Sequence, residues 1–261
     1  MNLVTLNVRG LGEKHKAEWA CRLRRSHNLV LMAIQETQLS DLHNSLDVSS
    51  CWGNFNHGFE YVNATGRSGG LLTIWDSNFF NIEATVKSMY FLMIIGTCTS
   101  IDGQVVIVNV YGPKSSPDKL QLWWDLLNLK QQRMATWIIL GDFNEVRSPD
   151  ERINSTFCKS STECFNHFIQ RAELHDLKMW GFRFTYFQQY GAKLSKLDRI
   201  LVCEKFMIHF PLASSTALPK EISDHSPVIL KTEVVDFGPP PFMLFNSWMM
   251  RDGFEQIVIK A

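Results

Sequence analysis

The segment Gly141-Asp142-Phe143-Asn144 follows directly on the apolar run Trp137-Ile138-Ile139-Leu140. Strand side chains alternate between two faces, so an acid and an amide two residues apart at a strand end point the same way. An Asp that orients or deprotonates a nucleophile, beside an Asn that holds an oxyanion, suits hydrolysis of a phosphate ester. A loop cap is the competing explanation for one such pair. Other polar residues stand in the same relation to apolar runs: Asn7 follows Leu3 to Leu6, Glu36 follows Leu29 to Ile34, and Tyr111 follows Val105 to Val110. Asp198 lies near the start of Leu197 to Val202, and Asp224-His225 stands immediately before Ser226 to Leu230. If those last two strands run antiparallel to the others, their starts share an edge with the others' ends, and one rim holds the whole set.

Phosphate-ester cleavage needs an activated water, stabilisation of a crowded anionic transition state and help for the leaving oxygen. Glu36, with Asn7 beside it, offers hard oxygen ligands for Mg²⁺, which keeps several waters and takes only one or two carboxylates. Such an ion neutralises phosphate charge as a Lewis acid. His225 with Asp224 as orienting partner has the form of an acid/base pair, the carboxylate fixing the ring tautomer. Asp142 and Asn144 would position nucleophile and phosphoryl oxygen, and Tyr111 would donate to a phosphate oxygen. Each residue also has a plain structural explanation as a cap, a turn or a local ion pair. Their convergence on one rim is the argument for a site.

The elements that must position these residues are short. Runs rich in Val, Ile, Leu and Phe recur at Leu3 to Leu6, Leu29 to Ile34, Gly70 to Trp75, Met89 to Thr97, Val105 to Val110, Trp137 to Leu140, Leu197 to Val202 and Pro227 to Leu230. Their length and β-branched content predict strands. Helical spacing marks Lys14 to His27, with Trp19, Ala20 and Leu23 on one face, and Pro117 to Lys130, with Leu120, Trp123, Trp124 and Leu127 on one face and Ser116 as N-cap. A third helix, Thr162 to Ala172, carries Phe165, Phe168 and Ile169 inward behind Ser160-x-x-Glu163, a capping-box pattern. Several strands follow one another without a helix between them. Two mixed or antiparallel sheets packed face to face with helices outside fit this order.

The chain of 261 residues is 45% hydrophobic, enough to bury a substantial core. Lys plus Arg and Asp plus Glu both number 26, so contact with a polyanion must rest on a local basic patch. Arg22, Arg24 and Arg25 offer one, with a solvated helix face as the alternative. The six cysteines form no zinc-ligand spacing and read as reduced, mostly buried thiols. No basic leader precedes an apolar region at Met1, and no apolar run reaches the roughly 20 residues of a membrane span, so an intracellular protein without membrane contact is expected. Gly238-Pro239-Pro240-Pro241 cannot continue a sheet interior. The expected division is therefore a catalytic unit over 1–235 and, over 236–261, a Pro-rich linker with the start of a further region.

Taken in order, Leu6-Asn7-Val8-Arg9-Gly10-Leu11, Ile34-Gln35-Glu36-Thr37, Ser68-Gly69-Gly70, Tyr111-Gly112-Pro113, Gly141-Asp142-Phe143-Asn144, Ser195-Lys196-Leu197-Asp198-Arg199 and Ser223-Asp224-His225-Ser226 resemble the motifs of the endonuclease/exonuclease/phosphatase superfamily. Within it, Gly181-Phe182-Arg183-Phe184-Thr185 and the tail from Pro241-Phe242 to Trp248 are similar to the endonuclease domain of plant non-LTR (LINE-type) retrotransposons. The resemblance implies a four-layer α/β sandwich and nicking of DNA to a 3′-hydroxyl, dependent on Mg²⁺ or on Mn²⁺ in its place. It places the metal among Asn7, Glu36, Asp142, Asn144, Asp224 and His225, with Glu36 the main ligand. Catalytic roles fall to Tyr111, Asp142, Asn144, Asp198, Asp224 and His225. A downstream reverse transcriptase in a longer polyprotein and a nuclear site of action would follow, although no Lys/Arg run forms an import signal. One position departs from the pattern: abasic-site endonucleases of the family carry an Asp where this chain has Arg9, which cannot bind Mg²⁺. Two other readings keep the same rim: a phosphomonoesterase acting on inositol phosphates or a sphingomyelinase-type lipid hydrolase, and a decayed retroelement fragment serving as a binding module.

Overall fold

Alternation along the first strand sets the architecture. In a computed structural model describing residues 1–66, 68–188 and 193–232, Leu3 faces a core between two sheets, while Val4, Leu6 and Val8 face a second core beneath helices. A strand with both faces buried needs a layer on each side. The first sheet runs, in spatial order, β11 (Met179–Gly181), β15 (Ser214–Ala217), β16 (Val228–Lys231), β1 (Asn2–Asn7), β2 (Leu31–Gln35), β4 (Leu71–Asp76) and β3 (His57–Val62). The second runs β10 (Leu174–Asp176), β14 (Asp198–Cys203), β8 (Thr136–Asp142), β7 (Ile101–Tyr111), β6 (Phe91–Cys98) and β5 (Phe80–Lys87). Both mix parallel and antiparallel pairs, and their inner faces meet in one core. Outside the first sheet lie α1 (Lys14–His27), α2 (Leu42–Ser45) and α3 (Val48–Trp52); outside the second lie α4 (Ser116–Gln131), α5 (Lys159–Arg171) and α6 (Glu204–His209). This is the four-layer α/β sandwich expected from the sequence. A small third sheet of β12 (Tyr186–Phe187), β13 (Leu194–Ser195) and β9 (Arg152–Ile153) stands over one end.

The antiparallel orientation on which a shared rim depends is present. β14 runs antiparallel to β8 with Asp198 opposite Asp142, and β16 runs antiparallel to β1 with Val228 opposite Thr5. The starts of β14 and β16 therefore lie at the same end as the finishes of β1, β2, β7 and β8.

The helices depart from expectation in three details. Ser115, not Ser116, caps α4 by accepting from the backbone N–H of Asp118. Along α4, Trp123 and Leu127 are buried, but Leu120 and Trp124 are 51% and 62% exposed, because the buried face is rotated to Lys119, Leu122, Trp123, Leu126 and Leu127. Cys158 precedes α5 with no side-chain cap, and Glu163 pairs with Lys159 at 3.8 Å instead of closing a capping box.

All six cysteines are free, but only Cys51 and Cys203 are buried; Cys158 is exposed and the other three are half-buried. The arginine cluster on α1 is absorbed locally. Arg22 pairs with Glu221 at 3.6 Å, Arg24 lies 4.3 Å over the Trp52 ring, and Arg25 donates to the Gly53 carbonyl. Cations in a last helical turn also offset the helix dipole, so this patch has a structural cause. Among the described residues no helix is long and apolar enough to cross a membrane. The expected linker over 236–261 lies outside the described residues.

Candidate active site

Inter-sheet packing brings the strand ends together. Asn7 shares the inner face of β1 with Leu3 and Thr5, and its Nδ2 donates across the gap to Asp142 Oδ2 at 3.0 Å and to Glu36 Oε1 at 3.2 Å. Beneath them, Gln35 donates to Asn109 Oδ1 at 2.7 Å, and Asn109 donates to the Leu72 carbonyl and Thr73. These buried groups satisfy one another and tie the two sheets at one register directly under the rim.

Alternation also explains the Asp-Phe-Asn segment. Asp142 points to the rim, while Phe143 points into an aromatic cluster, its ring 5.4 Å from Phe165 and 6.1 Å from Trp123. Such pairs add about 0.5–1.5 kcal/mol each beyond burial, enough to anchor the turn. Asn144 then adopts a left-handed conformation, φ 49°. Its N–H donates to Asp142 Oδ1 at 2.9 Å, and its Nδ2 donates to the Gly112 carbonyl at 2.7 Å. Gly112 is required there, since a Cβ would stand 2.2 Å from the Phe143 carbonyl oxygen. Glu36 and Arg9 also have positive φ, 52° and 48°. Three non-glycine residues in this costly region, all on one rim, mark a site whose surroundings enforce their geometry.

His225 does not take Asp224 as its partner. The ring instead turns inward: Nδ1 lies 2.8 Å from Asp198 Oδ2, and Nε2 lies 3.8 Å from Asp142 Oδ2. Asp224 pairs with Arg9. The sequence-based pairing of Asp224 with His225 is thereby corrected to Asp198 with His225. Burial pulls the imidazole pKa down, but the Asp198 and Asp142 carboxylates outweigh it and hold the ring's pKa up, near 10. Burial pushes the Asp142 carboxyl up to about 6, with His225 pulling against it and Asp198 adding to the rise.

These contacts redistribute the expected metal ligands. Asn7 turns its amide nitrogen to the acids and its Oδ1 to the Arg9 N–H, so it serves as a donor here. His225 is engaged by carboxylates in a form that favours the proton, Asp224 by Arg9, and the Asn144 amide by Gly112. Polar atoms of Asp142, Asp198 and His225 lie within 4.8 Å of one another, but His225 Nδ1 is already hydrogen-bonded to Asp198, and a protonated ring, which both carboxylates favour, has no lone pair for a cation. Glu36 and Asp142 line the cleft together; both Asp142 oxygens also accept, Oδ1 from the Asn144 N–H and Oδ2 from Asn7, and Asp224 Oδ1 is buried with no hydrogen-bond partner among the described residues. Among the described residues, Glu36 Oε2 meets only Gln38 Nε2 at 3.4 Å. Two carboxylates in an open cleft fit a hard divalent cation. Tyr111 directs its hydroxyl to Glu36 Oε1 at 2.9 Å, and burial together with that carboxylate raises its pKa, so it stays a neutral donor.

Three supporting residues were not singled out by sequence reasoning. Thr185 Oγ1 accepts from the N–H groups of Leu197 and Asp198, both at 3.0 Å. Ser223 Oγ donates to the Asn7 carbonyl and accepts from the His225 N–H, joining the first and last strand ends. Lys119 reaches from α4 to the Asn144 carbonyl at 2.7 Å and to buried Glu145 at 2.8 Å. The first two sit inside stretches already noted as motifs; nothing in the spacing of Lys119 signals its role.

The resulting cleft has a volume of about 460 Å³. Glu36, Asp142 and Asp224 line its acidic side, while Arg9, Lys114, Arg152 and Lys193 supply cations around it. An acidic floor inside a basic rim is matched to a cation and a phosphate together.

The model of the Endonuclease/Exonuclease/phosphatase family matches residues 4–225. No curated protein matches the sequence. The fold is similar to an AP endonuclease, LMAP, from Leishmania major, at 16% identity over 88% of this chain and 86% of that one, TM-score 0.67. It is similar to a 3′ phosphatase, NExo, from Neisseria bound to product DNA hairpin, at 16% identity over 90% and 100%, TM-score 0.64. It is also similar to the endonuclease domain of TRAS1, a telomere-specific non-LTR retrotransposon, at 13% identity over 88% and 96%, TM-score 0.64.

Proposed function

The chain belongs to the endonuclease/exonuclease/phosphatase family, and from that premise we propose that it is a divalent-metal-dependent DNA endonuclease that nicks a strand to leave a 3′-hydroxyl. The observation that carries the reading is His225 held between Asp198 and Asp142 beside Glu36, on the floor of a cation-rimmed cleft. Asp142, its oxygens facing the cleft and its carboxyl raised by burial, is the group that takes a proton from the attacking water. His225, kept charged and fixed by Asp198, donates Nε2–H to a non-bridging phosphate oxygen and stabilises charge as it develops. Asn7 holds Glu36 and Asp142 at a fixed separation. A cation held by Glu36 with Asp142, Mg²⁺ or Mn²⁺, would neutralise phosphate charge as a Lewis acid.

Retrotransposon origin is part of the same proposal, supported by the ordered motifs and the likeness to the TRAS1 domain. So are a catalytic unit over 1–235, a reverse transcriptase downstream of it and a nuclear site of action. Incubation of supercoiled plasmid with Mg²⁺ tests the activity: nicked circles are expected, and their formation stops with chelator. Release of phosphate from inositol polyphosphates with plasmid left intact would replace this reading by the phosphomonoesterase one.

A further inference from the structure

A second cleft of about 450 Å³ adjoins the first and shares Arg9, Tyr186 and Asp224 with it. The base of Arg9 is fixed. Its N–H donates to Asn7 Oδ1 at 3.1 Å, and its carbonyl accepts from Lys16 Nζ at 2.7 Å. Its head is not: the side chain is 63% exposed, and among the described residues its guanidinium meets only Asp224. Arg9 thus stands on the boundary between two clefts with a planar fork of donors free to exchange partners.

The second cleft presents a composition suited to a nucleotide. Lys220 Nζ lies 5.3 Å from the centre of the Phe187 ring, and Gln188 adds an uncharged donor on the wall. Its two acids are spoken for, Glu221 by Arg22 at 3.6 Å and Asp224 by Arg9. An aromatic face with a cation over it, next to a guanidinium, supplies stacking for a base and contacts for a phosphate.

We infer that the second cleft seats the nucleotide next to the scissile phosphate and that Arg9 is a specificity-determining residue, trading Asp224 for the phosphate that joins the two nucleotides. A phosphomonoester fills the first cleft only; a polynucleotide fills both, with Arg9 between its two nucleotides. The inference rests on the endonuclease reading.

The test measures binding of fluorescent DNA oligonucleotides by anisotropy over a salt series, in chelator and in an Asp142→Asn background that cannot cut. Arg9→Ala and Lys220→Ala should each weaken binding by about tenfold or more and lower the slope of log K against log salt by about 0.9, the value for one lost phosphate contact on duplex DNA. Arg9→Lys should restore the slope but not the full affinity, since an ammonium keeps the charge without the fork. Arg9→Ala and Lys220→Ala slopes equal to the parent's, in a protein that nicks plasmid, would overturn the subsite and leave the endonuclease reading standing. A parent that neither binds DNA nor nicks it would overturn both.

Discussion

His225 Nδ1 lies 2.8 Å from Asp198 Oδ2, although Asp224 is its neighbour in sequence. The imidazole is oriented from the opposite sheet, so the order of influence on its tautomer is Asp198 before Asp224. Asp198→Asn should therefore reduce plasmid nicking by about a hundredfold or more, the usual scale for disabling an acid/base group. Asp224→Asn should cost at least about tenfold less. Initial nicking rates of the two variants check this ranking, and equal losses would contradict it.

Tyr111 donates to Glu36 at 2.9 Å and so stands behind the proposed metal carboxylate. Loss of such an outer hydrogen bond usually costs about 10- to 100-fold in metal affinity. Tyr111→Phe should weaken Mn²⁺ binding by that factor in calorimetry, without DNA present. An unchanged affinity would return Tyr111 to a phosphate-binding role alone.

The same dyad makes stability depend on pH. The His225 pKa is raised in the folded protein from an ordinary 6.5 to about 10, so the folded state binds its proton more tightly than the unfolded chain does. Its stabilising contribution is complete below about pH 6.5 and is lost as pH rises toward 10. In chelator, thermal melts of the parent minus those of His225→Asn should show a difference that shrinks across that interval. A difference that grows with pH would reverse the assignment.

Lys119 and Glu145 form a buried pair whose side chains are 11% and 4% exposed, and Lys119 also holds the Asn144 carbonyl. Lys119→Met leaves the buried Glu145 carboxylate with the Ser161 hydroxyl and the Val146 N–H as partners but without its cation, and should cost about 3–5 kcal/mol in denaturant unfolding. The double variant Lys119→Met with Glu145→Leu should recover much of that loss, yet remain slow in nicking because the Asn144 turn has lost its tether.

The rim was legible in the sequence because strand period and strand ends are local properties. Asn7, Glu36, Tyr111, Asp142 and Asp198 all follow or begin apolar runs, and the two sheets bring those ends together. Partners were less legible, because a hydrogen bond depends on where side chains point after the sheets pack. Asp224 beside His225 suggested a pair by adjacency, whereas packing paired His225 with Asp198 and left Asp224 to Arg9. Leu120 and Trp124 differ for a related reason: α4 is apolar on adjoining faces, and packing decides that the one through Leu122, Trp123, Leu126 and Leu127 is covered. Lys119 gave no local signal, since its target lies across the α4–β8 packing.

Nicking of supercoiled plasmid in Mg²⁺ by the intact chain, set beside Asp142→Asn at the same concentration, tests the central proposal most directly. Conversion to open circles by the parent, abolished by chelator and slowed at least about a hundredfold by Asp142→Asn, is the predicted result. Nicking that survives chelator, or an Asp142→Asn protein as fast as the parent, would contradict a metal-dependent site built on Asp142.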